Sequence, residues 1–395
     1  MKLRRAASLF LAGLLFLSGC TRPETQVQRE EPITFDQQPA IVEELLHNGG
    51  DTVSANVQVH VPEAFFSGQG NAYDAKILGI ADSDLLKKIF LGDREIIKTE
   101  GNASSNFNYY VAEKEFLHLE TLTFGYHTAV GRAIYQAALY DRSKYDNKLD
   151  SVYTEFDNTG NLDFQPREEV LQEAFALAES LGAEPSADCQ CYAIPHTQIA
   201  EKEQALLEQQ ETEDDGMPKV EPYGEWTEKE DCYFLRIPLL VDGYPLTQFD
   251  HGEETDGSGV PGFFLELLYT RDGLVDASGV VLRDFQKTAE NQDLLTAEEA
   301  LETVREYYES LVTGEEDDSV YQHVTEIRDA YLEMVPQRKN GSLTDYTVAP
   351  AWRFEIWSRS ELKEGMIAPE GIEVSEDWGF VGCLFVDART GERIR

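Results

Sequence analysis

The run Tyr233-Phe234-Leu235-Arg236-Ile237-Pro238-Leu239-Leu240 passes through Val241 into Asp242-Gly243, and Tyr244-Pro245-Leu246 resumes beyond it. An Asp-Gly pair between two apolar runs is a strong short-range hairpin signal, because the tight turn needs positive φ at both central residues. Such a turn commits the chain to antiparallel pairing. The same signature recurs downstream, where Phe263 to Tyr269 meets Arg271-Asp272-Gly273 and Leu274 to Phe285 supplies one or two further strands.

Helices are fewer. Thr296-x-x-Glu299 is a capping box, followed by Ala300, Leu301, Val304, Tyr308 and Leu311 at helical spacing. Strands return at Val324 to Val335, Tyr346 to Trp357 and Phe380 to Asp387, and a turn at Arg389-Thr390-Gly391 precedes the end. In the first half, Val53, Ala55, Val57, Val59 and Val61 alternate with polar residues up to Pro62, the period of a half-buried strand. A short helix is expected over Ser83 to Leu91, with Ser83 as cap and Gly92 as stop. Residues 106 to 140 read as strands, including the apolar run through Ala133-Ile134-Tyr135. Phe156 to Asn161 supplies a turn before a helix from Pro166 to Leu181, whose Val170, Leu171, Ala174, Phe175, Ala178 and Leu181 share one face. Cys189 to Ile194 reads as a strand, and Gln198 to Gln210 is compatible with a weakly amphipathic helix.

Residues 201–230 hold eleven acidic and three basic side chains, with Gly216, Pro218 and Pro222 near the middle. Charge of one sign interrupted by Gly and Pro does not close a core, so a boundary is expected there. With 42% hydrophobic content over 395 residues, two medium cores are expected on size. The division is residues 41–215 as an N-terminal domain, 216–230 as an acidic linker and 231–395 as a C-terminal domain. Both halves carry paired strands around a glycine turn, then a helix, then more strands, the order of a duplicated unit. Strands outnumber helices too heavily for crossover connections, so the fold class is α+β with antiparallel sheets.

Thirty-three basic against 74 acidic residues give a net charge of −41. A field of that sign repels nucleic acid and anionic lipid headgroups. Beyond Cys20 the cysteines are Cys189, Cys191, Cys232 and Cys383, too few for a stapled framework in a chain this long. Cys189 and Cys191 point to one face of a strand, where either could pair with Cys232 or remain a partly buried thiol.

Several constellations resemble sites. Asp157, Thr159, Asn161 and Glu168 occupy positions one, three, five and twelve of a calcium loop, but position six is Leu162 where the sharp turn needs glycine, and a plain turn fits better. Asp250, Glu253, Glu254 and Asp256 crowd a Gly-rich loop that reads as solvated acid. His118 and Glu120 share a strand face with His127 beyond a glycine turn; with seven histidines in the chain, chance proximity outweighs a metal site. Trp352 and Phe354 face one way on a strand and Trp357 the other, so at least one face packs a core. There is no G-x-S-x-G nucleophile elbow and no other motif that assigns a catalytic, cofactor or metal residue.

At the N-terminus, Lys2, Arg4 and Arg5 precede the apolar run Ala6 to Leu17, which ends in Leu17-Ser18-Gly19-Cys20. The run is shorter than the roughly 20 residues of a spanning helix, and with its basic head and small residues it resembles the bacterial lipobox. That resemblance implies a signal peptide over residues 1–19, acylation of Cys20 with palmitate-type chains, and a mature protein anchored on the outer face of the cell membrane. Residues 20–40, polar and containing Pro23 and Pro32, then form a flexible tether.

The second half resembles the PepSY-like modules of membrane-anchored regulators of the YycH and YycI type. The resemblance rests on the Leu239 to Leu246 hairpin, the Thr296 to Leu301 helix start, Val348 to Phe354 and Val386 to Glu392. The mature chain is also similar to an uncharacterised family of Gram-positive lipoproteins. Those regulators are held by a transmembrane helix where this chain has a lipobox, so their kinase partner does not carry over. What is implied is a lipid-anchored extracytoplasmic binding or regulatory lipoprotein, acting on an envelope protein or peptide, with no cofactor. The alternative is a cell-surface hydrolase of wall or dietary polymer, and a solute-capturing receptor would need the strand-helix alternation this chain lacks.

Overall fold

Asp242 (φ 49°) and Gly243 (φ 79°) both occupy the left-handed region. Val241 therefore pairs with Tyr244 and Leu240 with Pro245, the two-residue hairpin expected from Asp-Gly. Around this turn the computed structural model describes residues 34–48, 51–102, 106–139, 155–212, 222–252, 259–311, 320–339, 342–363, 366 and 377–394.

In chain order, β1 (Ile41–Asn48), β2 (Asp51–His60) and β3 (Gln69–Ile77) precede α1 (Ser83–Phe90). Next come β4 (Lys98–Asn102), β5 (Asn106–Ala112), β6 (Glu115–Glu120), β7 (Phe124–His127) and α2 (Ala129–Ile134). The first half ends with α3 (Arg167–Ser180), β8 (Glu184–Pro185), β9 (Gln190–Ile194) and α4 (His196–Thr212). The second half holds β10 (Cys232–Val241), β11 (Tyr244–Pro245), β12 (Phe264–Thr270), β13 (Gly273–Val280) and β14 (Leu282–Asp293). It closes with α5 (Ala297–Leu311), β15 (Tyr321–Arg338), β16 (Asp345–Leu362), β17 (Gly379–Asp387) and β18 (Arg393–Ile394).

The α+β class holds, as two sheets with a few helices. One sheet runs β1-β2-β15-β16-β17-β18, with β3 bonded to both β14 and β16; the other runs β11-β10-β12-β13-β7-β6-β5-β4, with β8 and β9 on β10. Among the described residues, every strand pair is antiparallel except β2 with β15, which is parallel. A parallel pair joins strands that are distant in the chain, and here it joins the two halves.

That pairing corrects the expected division into residues 41–215 and 231–395. Both sheets mix strands from the two halves: β2 lies beside β15, β3 beside β14 and β16, β7 beside β13, and β9 beside β10. Thr34–Arg395 is accordingly one unit. Separate halves would each leave open sheet edges, and pairing across the halves covers them. Nor is the expected linker detached where it is described. The Glu203 carboxylate of α4 accepts from Tyr223 N (2.8 Å) and Trp226 Nε1 (2.9 Å), and Asp231 accepts from His196 N (2.7 Å) at the start of α4.

The helices form where their caps and periodicity place them, with two corrections. Thr296 and Glu299 exchange the hydrogen bonds of a capping box at α5 (Thr296 N to Glu299 Oε2, 2.8 Å; Glu299 N to Thr296 Oγ1, 3.2 Å), and Ala297, Ala300, Leu301 and Val304 are buried against the core. α1 starts at Ser83 itself, with Asp82 in the cap position, and ends before Gly92 at φ 59°. The expected strand through Ala133-Ile134-Tyr135 is helical instead. Thr128 Oγ1 caps α2 by accepting from Gly131 N (3.1 Å), and an alanine-rich stretch that follows such a cap propagates as helix. Gly131 is required for its packing, since a Cβ there would lie 2.3 Å from Val275 O.

One continuous core draws on both sheets: Trp352, Phe354 and Ile327 from the first, Tyr233, Leu235 and Leu265 from the second, with Val304 of α5 and Ala174 of α3.

Candidate functional site

Strand alternation sends every second residue of β15 and β16 away from this core. On the core side lie Trp352, Phe354, Ala330 and Leu332, all buried. On the other side, the strand register sets His60 of β2 beside Tyr331 of β15, Tyr331 beside Arg353 of β16, and Arg353 beside Phe385 of β17. His60, Tyr331 and Arg353 of this row lie along the floor of a cleft of about 1240 Å³, lined also by Phe66, Arg236, Gln248, Phe249, Glu333 and Trp357.

The floor is held by charge and aromatic contact together. Arg353 is 5% exposed. Its Nε donates to Glu333 Oε1 (3.1 Å) and its Nη1 to Glu355 Oε1 (2.7 Å). The same guanidinium lies 4.0 Å from the ring centroid of Phe249 and 4.2 Å from that of Tyr331. Burial works against the charge of Arg353, yet Glu333, Cys383 and Glu355 hold it protonated far above any working pH. Burial pushes the Glu333 carboxyl up, and Arg353 pulls against that shift. A buried pair of this kind costs desolvation and is retained by the hydrogen bonds that complete it.

His60 stacks on Tyr331 with ring centroids 4.3 Å apart, and its Nε2 lies 2.8 Å from Asp329 Oδ1. Across the cleft, β10 contributes Arg236, which bonds to Glu266 and lies 3.7 Å from the ring centroid of Phe264. Arg236 is 6% exposed, and its Nε has no hydrogen-bond partner among the described residues. Toward the distal end, Arg328 lies 4.8 Å from the Trp357 ring and 4.5 Å from the Trp378 ring.

Of the described residues weighed in the sequence as candidate sites, Trp357 alone lines this cleft. Trp352 and Phe354 are core, as strand alternation requires. Asp157 Oδ1 accepts from Thr159 N (2.8 Å), Thr159 Oγ1 (2.8 Å) and Gly160 N (3.0 Å), while Asn161 Oδ1 accepts from Arg167 N (2.8 Å) at the start of α3: a plain turn. His118 bonds Asn108 (2.7 Å) and Glu120 (3.0 Å), whereas His127 bonds Asp276 (2.9 Å), so the two histidines serve separate pairs. Among the described residues no cluster of His, Cys, Asp or Glu is arranged to hold a metal. Asp250 accepts from Gly262 N (2.7 Å), and Glu253, Glu254 and Asp256 lie outside the described residues. So do Cys20 and the stretches expected as signal peptide and, as far as residue 33, as tether. Among the described residues no helix is long and apolar enough to cross a membrane.

The thiols at 189, 191, 232 and 383 are free. Cys191 pairs in register with Leu235 and joins the main core, while Cys232 joins the smaller cluster on the other face of β10. Strand alternation therefore keeps Cys191 and Cys232 apart. The cleft residues missed in the sequence, Arg236, Glu333, Arg353 and Glu355, do leave a trace there. Arg236 and Glu333 are lone charges, and Arg353 and Glu355 an opposite pair, inside otherwise apolar strand segments (Phe-Leu-Arg-Ile, Leu-Glu-Met, Trp-Arg-Phe-Glu-Ile), where an unpaired charge would be costly.

No protein-family model matches the chain, and no curated protein matches it. The architecture is that of an α+β protein also seen in the crystal structure of an uncharacterized protein from Eubacterium rectale ATCC 33656. The similarity has a TM-score of 0.58 at 14% sequence identity and covers 92% of this chain and 95% of that one. At that identity the likeness extends to the fold alone.

Proposed function

We propose that this is a lipid-anchored, extracytoplasmic binding lipoprotein, held on the outer face of the membrane through Cys20, that acts by seating part of an envelope protein or peptide in the cleft above Tyr331 and Arg353. The supporting observation is the cleft itself, a concave surface of about 1240 Å³ whose floor is braced by a buried ion pair and aromatic stacking. A floor so braced is preorganised, which lowers the ordering cost of binding. The lipobox-like start and the PepSY-like segments support the location and the regulatory role. Chain length limits reach: the 16 residues from Cys20 to Asp36, at about 3.5 Å each, span at most about 55 Å.

The hydrolase reading draws on Glu333 and Glu355, two carboxylates in one cleft, one of them pushed up by burial. Both are bonded to Arg353, which gives each a structural task and weakens that reading.

The test is crosslinking on intact cells followed by capture of the full-length acylated protein, beside a Phe66→Ser form. Phe66 lines the cleft and is half exposed, so its replacement spares the core. One abundant envelope protein recovered with the natural chain and lost with Phe66→Ser is the expected result. Recovery of lipid alone from both forms would sink the binding reading.

A further inference from the structure

We infer that the cleft is built for an extended peptide segment carrying lysine or arginine side chains. This rests on the reading of the cleft as the binding surface and adds the class of ligand.

Size comes first. Small-molecule pockets run to roughly 300–1,000 Å³, and this cleft, at about 1240 Å³ and widely open, has room for several residues of a polymer. Arg236 then sets the polarity of one contact. It lines the cleft, is more than nine-tenths buried, and keeps an Nε–H without a partner among the described residues. A buried donor left unsatisfied is costly, and because this nitrogen is itself closed off from solvent, a peptide carbonyl satisfies it once the guanidinium turns toward the cleft.

Charge decides the rest. The lining holds five carboxylates, Asp36, Asp188, Asp329, Glu333 and Glu355, and three guanidiniums, Arg236, Arg328 and Arg353. Two of these arginines are already matched by carboxylates behind the lining, Arg236 by Glu266 and Arg328 by Glu326. Seven carboxylates against three guanidiniums leave an excess of four carboxylates. Asp36 and Asp188 are exposed at the rim, and neither pairs with a cation among the described residues. A cleft of one sign with low-dielectric walls focuses its field, and the chain's overall charge of −41 adds to it. An anionic ligand is opposed by this field. A neutral glycan offers acceptors to Arg236 and hydroxyl donors to the rim carboxylates, but no positive charge to offset the field. A basic peptide answers both, with a backbone carbonyl for Arg236 and cationic side chains for Asp36 and Asp188.

The experiment uses the full-length acylated protein in nonionic detergent micelles, with fluorescent short peptides of alternating lysine and glycine, glutamate and glycine, or serine and glycine, and a labelled β-1,4-linked N-acetylglucosamine oligomer. Binding is read by anisotropy at physiological salt. The lysine peptide is expected to bind best. Asp36→Asn with Asp188→Asn is expected to weaken it about tenfold, the worth of two exposed ion pairs. Glu298→Gln with Glu306→Gln, exposed on α5 and away from the cleft, is expected to leave it unchanged, which separates cleft binding from general attraction to an acidic protein. Equal losses in the two double variants would overturn the inference. Cleft-dependent binding of the sugar, the serine peptide or the glutamate peptide in preference to the lysine peptide would overturn the ligand class and keep the cleft as a binding surface. Absence of cleft-dependent binding by every probe would overturn both.

Discussion

Tyr331 and Arg353 face each other across β15 and β16, with the guanidinium 4.2 Å from the ring centroid. Because Tyr331 is also in register with His60, one row of side chains ties three strands together, and β2 reaches that row only by pairing parallel with a strand about 270 residues later. The cleft floor is thus a product of the pairing between the two halves.

Replacing Arg353 with Met keeps its length and strands two carboxylates, one of them deeply buried. An uncompensated buried charge costs about 3–5 kcal/mol, a large share of the roughly 5–15 kcal/mol that holds an ordinary domain together. Urea unfolding of Arg353→Met is expected to show a loss of that size, and Arg353→Met with Glu333→Gln is expected to recover part of it. A single variant as stable as the natural chain would mean that the pair is not buried in solution.

Alkaline pH is expected to destabilise the fold through its buried thiols. Burial pushes Cys191 up from 9.0 to about 11 and Cys383 up to about 12. The unfolded thiol loses its proton near pH 9 while the folded one keeps it, so above pH 9 the unfolded state binds fewer protons and stability falls as pH rises. The contribution is whole below pH 9 and disappears for Cys191 as pH passes 11. For Cys191 the rise from 9.0 to about 11 corresponds to about 2–3 kcal/mol. Urea midpoints across that window should decline less steeply in Cys191→Ala than in the natural chain; parallel declines would assign the loss to other groups.

Val304, 1% exposed on α5, packs into the core that both sheets share. Val304→Asp buries a lone carboxylate at a cost of several kcal/mol. Because the core is continuous, the loss is expected to appear as one cooperative unfolding transition involving Trp352 of one sheet and Tyr233 of the other. Separate transitions for residues 41–215 and 231–395 would restore the two-domain division.

Oxidation provides a simple check on strand register. Cys191 and Cys232 lie on opposite faces of neighbouring strands, so a mild oxidant applied to the folded protein is expected to leave both as thiols by mass spectrometry after alkylation. A Cys191–Cys232 crosslink would contradict the register of β9 on β10.

Local chemistry was sufficient for the elements whose signals are complete within a few residues. The Asp242-Gly243 turn, the Thr296-Glu299 box and the apolar face of α3 carry in adjacent positions the φ preferences, cap partners and periodicity that define them. The run to Tyr135 became helix because the Thr128 cap, three residues upstream of Gly131, outweighed an apolar pattern that either structure accommodates. By itself the sequence also determined the class, α+β, since hairpin turns and too few helices leave little else. Only the tertiary structure decided which strands lie side by side. The pairing of β2 with β15, and of β9 with β10, rests on complementary buried faces that come from separate parts of the chain. The cleft belongs to that second category. Arg236, Glu333 and Arg353 look in the sequence like charged interruptions of apolar strands, and they become one surface when two sheets built from both halves close over a common core.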